Sequence, residues 1–121
     1  MGRKERAKKT PAPTAPSAPP AIHEAELSSE LTGAVDYGRE IGEAEAIARR
    51  RSGQDIVVRG SDKAANRRLA GRIEEAVGRA IPHFPHRTAG RYALPHWQQQ
   101  SRFPAGHSFY ETENLRARKK K

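Results

Sequence analysis

The stretch SGQDIVVRGSDKAANRRLAGRIEEAVG, residues 52–78, constrains the fold more than any other part of the chain. Ile56, Val57 and Val58 stand between Gly53 and Gly60. A β-branched run bounded by glycines suits a buried strand, so it predicts one over 55–59. Ser61 stands at a capping position and Asp62 in a first turn. Ala65, Leu69, Ile73 and Val77 then recur by four before Gly78, which predicts a helix over 61–77.

Upstream, residues 22–32 carry weak helical patterning. Ala34, Tyr37, Ile41, Ala44, Ile47 and Ala48 repeat at three and four, predicting a helix from 34 that ends near Ser52. The basic run Arg49–Arg51 followed by Gly53 suits that end, where cations face the negative pole of the helix. Downstream, residues 79–91 read as irregular loop, 92–97 and 107–111 as strands, and Thr112 as the cap of a terminal helix. The fold expectation is α+β, with N-terminal helices packed on a small antiparallel sheet that ends in a histidine-bearing hairpin. Residues 1–21, rich in Pro and Ala after a basic cluster, read as a disordered linker. Residues 22–33 form an acidic flank, 34–118 a small domain and 119–121 a basic tail.

Charge is distributed unevenly along the 121 residues: from Arg49 to Lys121 there are 17 Lys or Arg against 6 Asp or Glu. Between residues 22 and 48 the balance reverses, with seven acidic side chains against Arg39 alone. A basic body favours a polyanionic partner, because arginine clusters bind phosphates with release of counterions. Arg67, Arg68 and Arg72 fall off the apolar line of the 61–77 helix, as a basic ridge for nucleic acid or as a solvated face.

Several chemistries are unsupported. The chain has no cysteine, which removes thiol catalysis and Cys-based zinc sites. Neither a GxxxxGK[ST] loop nor a GxGxxG turn occurs, and the carboxylates of the basic half are too scattered for a two-metal site. No cofactor is expected. No run of 18 apolar residues occurs, so no membrane span is expected.

Four of the five histidines follow Gly78. If the two late strands close symmetrically, His96 lies opposite His107, Leu94 opposite Phe109 and Tyr92 opposite Glu111. Strand alternation then puts all six on one face. Two imidazoles and arginines can cleave RNA without a metal, one group removing the 2'-hydroxyl proton and another protonating the leaving oxygen. Arg87, Arg91 and Arg102 are the candidate phosphate ligands, and Glu111 an alternative base. His96 and His107 as partly buried residues that satisfy loop carbonyls is the competing reading. His83 and His86, three apart, make a weak zinc pattern with His96 or His107. On the residues alone, a ribonuclease, a non-catalytic RNA- or ribosome-binding protein, and an interaction module whose acidic segment covers the basic body all remain open.

GRYALPHWQQQSRFPAGHSFYE, with the 52–78 stretch before it, resembles the C-terminal toxin domains of bacterial polymorphic toxin systems. Those domains often end in a histidine-bearing strand, a short loop and a GHxFY-like strand; Gly106, His107, Phe109 and Tyr110 match that ending across a resemblance spanning about residues 34–118. The resemblance implies a nuclease effector, analogous to the barnase-like α+β ribonucleases and acting on RNA rather than DNA. It further implies action in the cytoplasm after delivery by a specialised bacterial system, and neutralisation by an acidic immunity protein.

Overall fold

A computed structural model describes residues 19–29, 31, 33–84 and 92–120. The linker up to residue 18, His86, Arg87 and Arg91 lie outside the described residues. The chain runs β1 (Ala21–Leu27), β2 (Val35–Ile41), α1 (Glu43–Arg51), β3 (Ile56–Arg59), α2 (Lys63–Glu75), β4 (Ala80–His83), β5 (His96–Gln99), β6 (Ser108–Tyr110) and β7 (Arg118–Lys119). Among the described residues it is a mixed α+β fold: two helices and one seven-stranded sheet in the order β4-β5-β6-β3-β1-β2-β7.

The β-branched run forms β3, and its alternation serves both faces of the sheet. Ile56 and Val58 join Ile22, Ile41, Tyr110 and the helix residues Ala46, Ala70 and Ile73 in one core cluster. Val57 joins Ala25, Val35, Leu94, Phe109 and Ala117 in the other. Both helices therefore lie on one face. On the second face Leu94, Leu115 and Ala117, which lie outside the strands, pack against the sheet.

Several expected elements differ from those observed. The segment 79–91, expected as irregular loop, contains strand β4, and the strand expected over 92–97 is β5, beginning at His96 and running to Gln99. The 22–32 segment is strand β1, not a weak helix, and the helix expected from residue 34 is β2 followed by α1 beginning at Glu43. The cause is a bulge: His23 pairs with Glu40 and Ala25 with Tyr37, so Gly38 and Arg39 together oppose Glu24. That extra residue moves Ile41 to the helix-side cluster while Val35 and Tyr37 serve the other, and it imitates a spacing of three and four. Gly38 and Gly42 are themselves poor helix formers. Among the described residues no helix follows Thr112; the Leu115 amide donates to Thr112 Oγ1 and the Thr112 amide to the Leu115 carbonyl, closing a turn that leads into β7.

The sheet is mixed rather than antiparallel. β3 pairs with β6 in parallel, Ile56 beside Ser108 and Val58 beside Tyr110, and β7 runs parallel to β2. Helix α2 is capped by Asp62, not Ser61: its Oδ1 accepts from the Ala64 and Ala65 amides at 3.0 and 3.2 Å. Its buried side is Asn66, Ala70, Gly71, Ile73 and Glu74, a face turned from the expected apolar line and containing two polar residues. Gly71 lets Trp97 lie on the helix, since a Cβ there would come within 2.8 Å of the indole. Among the described residues no helix is long and apolar enough to cross a membrane.

Candidate active site

Strands β4, β5 and β6 bring three imidazoles together on the face opposite the helices. His83 pairs with His96 across β4 and β5, and their rings stack with centroids 5.5 Å apart. His96 pairs with Phe109 across β5 and β6, whereas the symmetric closure expected from the sequence sets His96 against His107. The observed register is displaced by two residues, which preserves the side-chain face. His107, just ahead of β6, meets His96 edge to face at 4.6 Å between centroids, and Phe109 lies beneath both rings at 5.5 and 5.0 Å.

His107 is held by Asp55. Its backbone amide donates to Asp55 Oδ1 at 2.8 Å, and its Nδ1 lies 3.3 Å from the same oxygen. With the carboxylate accepting, Nδ1 carries the proton and Nε2 is the nitrogen left for chemistry. The approach is close enough to require Gly106: it has φ of 98°, and a Cβ there would stand 2.7 Å from Arg50 Nη1 and 3.0 Å from Asp55 Oδ1.

Arg50 anchors this corner from beneath. Fully buried, it donates through Nη1 to the carbonyls of Gln54 and Ala105 at 3.0 and 2.9 Å. Through Nε and Nη2 it donates to Glu74 at 2.7 and 3.0 Å. Glu74, equally buried, also accepts from Ser108 Oγ and Gln99 Nε2, both at 2.7 Å. One guanidinium thus ties the start of β3 to the chain entering β6, and so sets Asp55 against His107.

His96 is more enclosed. Burial, then the neighbouring His107 and more weakly His83, push its pKa down to about 4, against the Gln98 side chain and the Leu94 carbonyl, which favour its charged form. Its Nε2 lies 3.0 Å from Gln98 Oε1, and Nδ1 is buried without a hydrogen bond of good geometry. The ring is neutral at pH 7. Because the folded pKa is below that of the unfolded chain, this group's contribution is full above about pH 6.5 and is lost as pH falls toward 4. The displacement is worth about 3 kcal/mol if fully realised, and about 2 kcal/mol allowing for solvent at the ring. Urea unfolding at pH 7.5 and pH 4 therefore shows a loss of about 2 kcal/mol more for wild type than for His96→Asn; equal losses would contradict the burial of this imidazole.

The rings border a cleft of about 420 Å³ whose walls include Leu94, Phe109, Phe84, Gln98 and Arg102. Arg102 has φ of 70°, a region that costs a non-glycine residue about 1 kcal/mol and recurs at functional sites. Of the sequence candidates, His96, His107 and Arg102 share this cleft. Glu111 does not reach it: at 1% exposure it accepts from Arg59 Nε, Arg116 Nη1 and the Ala117 amide at 3.1, 3.2 and 2.9 Å. Arg67, Arg68 and Arg72 lie on α2, across the sheet, with Arg72 bound to Glu43 through two bonds of 2.9 and 2.8 Å.

In the sequence Asp55 reads as one scattered carboxylate and His83 as a zinc candidate. The parallel pairing of β3 with β6 is what sets Asp55 beside His107, and it joins segments too far apart for local pattern to reveal. Among the described residues no three His, Asp or Glu side chains are grouped as ligands for a metal ion. The arrangement offers a neutral imidazole, a second imidazole oriented by a carboxylate, and an arginine in one cleft. No family model, curated protein or solved structure matches the chain.

Proposed function

We propose that the protein is a ribonuclease that cleaves RNA with two histidines and no metal. The observation that carries this reading is the contact of His96 with His107 at 4.6 Å between ring centroids, with Asp55 Oδ1 3.3 Å from His107 Nδ1. The chain from β5 to β6 is read as a histidine-bearing hairpin whose loop brings both groups to one cleft. Acid–base catalysis needs one group that starts neutral and one that starts protonated. Two imidazoles this close disfavour double protonation, and His96 is the one held neutral.

In this mechanism substrate entry frees the His96 Nε2–H from Gln98 Oε1; the neutral ring exchanges to the tautomer with its proton on Nδ1, facing the Leu94 carbonyl, and the bare Nε2 then takes the proton of the 2'-hydroxyl. The 2'-oxygen attacks phosphorus, the bond from phosphorus to the 5'-oxygen breaks, and His107 Nε2 gives its proton to the departing oxygen. Arg102 stabilises charge on the non-bridging oxygens. Arg87 and Arg91 keep their proposed phosphate-binding role. The products are a 2',3'-cyclic phosphate and a free 5'-hydroxyl. In keeping with the resemblance to polymorphic toxin domains, this reading includes an effector neutralised by an acidic protein, complementary to the chain's net charge of +9.

The test is an RNA oligonucleotide carrying one 2'-deoxy substitution at the cleavage position. Cleavage there falls at least about 10³-fold, since the nucleophile is missing, while the all-ribose oligonucleotide yields the cyclic phosphate. Unchanged cleavage of the 2'-deoxy position would contradict the mechanism.

A second reading draws on the opposite side of the sheet. Lys63, Arg67 and Arg68 surround Trp97 there, and the Arg67 guanidinium lies 5.6 Å from the indole centroid. Cations beside an aromatic ring form a surface suited to RNA binding without cleavage. Salt-sensitive RNA binding with intact RNA recovered afterwards would favour this reading over the ribonuclease.

A further inference from the structure

Among the described residues the exposed large apolar side chains are Leu27, Phe84, Tyr92 and Phe103. Leu27 and Phe84 line the histidine cleft itself. Phe84 is 65% exposed although it directly follows a strand of the sheet. Burial does not explain these positions, and apolar groups gathered around one cleft mark a place where something docks.

We propose that the apolar part of this cleft, with Phe84 at its rim, is a subsite for an unpaired nucleobase beside the scissile phosphate, so that the protein selects single-stranded RNA. This inference rests on the ribonuclease reading above and adds the form of RNA that enters. Three features favour a base as the occupant. Phe84 offers an exposed aromatic face, and bases of any sequence stack on such a face. Leu94 and Phe109 provide apolar walls, and the Gln98 amide provides hydrogen-bonding groups for a base edge. The imidazoles and Arg102 adjoin that apolar wall, where a phosphate attached to the bound nucleoside would be handled. The cleft volume of about 420 Å³ falls within the about 300–1,000 Å³ common for small-molecule sites. A base within a duplex has both faces stacked and its pairing edge occupied, so it cannot present itself to Phe84.

The probe is a fluorescently labelled, all-2'-deoxy single-stranded hexanucleotide, which lacks the nucleophile and reports binding apart from cleavage. Anisotropy titrations at fixed salt compare wild type, Phe84→Ala and Phe84→Trp, with the matching duplex as competitor. The expected results are about tenfold weaker binding for Phe84→Ala, as for loss of one base–aromatic stack, recovery in Phe84→Trp, and poor competition by duplex. Equal affinity of wild type and Phe84→Ala, or duplex competing as well as single strand, would overturn the subsite. Failure of the oligonucleotide to bind would overturn it too. Cleavage of the all-ribose hexanucleotide, assayed in parallel, separates the two claims. Phe84-dependent binding without cleavage sinks the catalytic reading alone, and cleavage with Phe84-independent binding sinks the subsite alone.

Discussion

Glu74→Ala lowers stability by about 3–5 kcal/mol, because it leaves the Arg50 charge buried without its carboxylate. Both side chains have no solvent exposure, and Glu74 also accepts from Ser108 and Gln99. For a domain of this size each kcal/mol lowers Tm by about 4–8 °C, so the variant melts at least about 12 °C below wild type. Thermal unfolding followed by circular dichroism measures it. The pair Arg50→Met and Glu74→Leu made together restores much of the loss, since removing both charges removes the penalty that one leaves behind. A Glu74→Ala cost under about 1 kcal/mol would contradict the burial of this pair.

His107→Ala lowers the RNA cleavage rate by about 10²–10⁴-fold, the range for removing one acid–base group. Asp55 touches no reacting atom in this mechanism. It is a positioning residue, and Asp55→Ala costs about 10²-fold, as expected when a catalytic group is misplaced. The two are distinguished by rescue: Asp55→Asn keeps a side-chain oxygen to accept from the His107 amide and ring and recovers part of the rate, whereas exogenous imidazole rescues His107→Ala and not Asp55→Ala. Equal loss in Asp55→Ala and Asp55→Asn with an unchanged fold would contradict the positioning role.

The parts of the fold legible in the sequence are those governed by local rules. The β-branched run between two glycines is strand β3, and the following periodic segment is α2. Alternation placed His96, His107 and Phe109 on one face even though the pairing is displaced by two residues, because parity survives such a displacement. What stayed hidden depends on distant partners. The bulge at Gly38 and Arg39 shifts side chains between faces and imitates helical spacing. Arg50, Asn66 and Glu74 are buried because each finds hydrogen-bonding partners far along the chain, and nothing local distinguishes them from solvated neighbours. Arg50 in particular reads as part of a basic helix end. The parallel pairing of β3 with β6, separated by some fifty residues, brings Asp55 to His107 and makes the site more than two neighbouring histidines.

The central claim is that His96 and His107 together cleave RNA. Its most direct test is a single-turnover assay of a defined single-stranded RNA in excess EDTA, comparing wild type with a His96→Ala/His107→Ala double variant whose fold is confirmed by circular dichroism. Wild type is expected to convert the RNA to fragments ending in 2',3'-cyclic phosphate, and the double variant to be slower by at least about 10³-fold. Equal cleavage by the two proteins, or no cleavage by wild type under conditions where it binds the RNA, would contradict it.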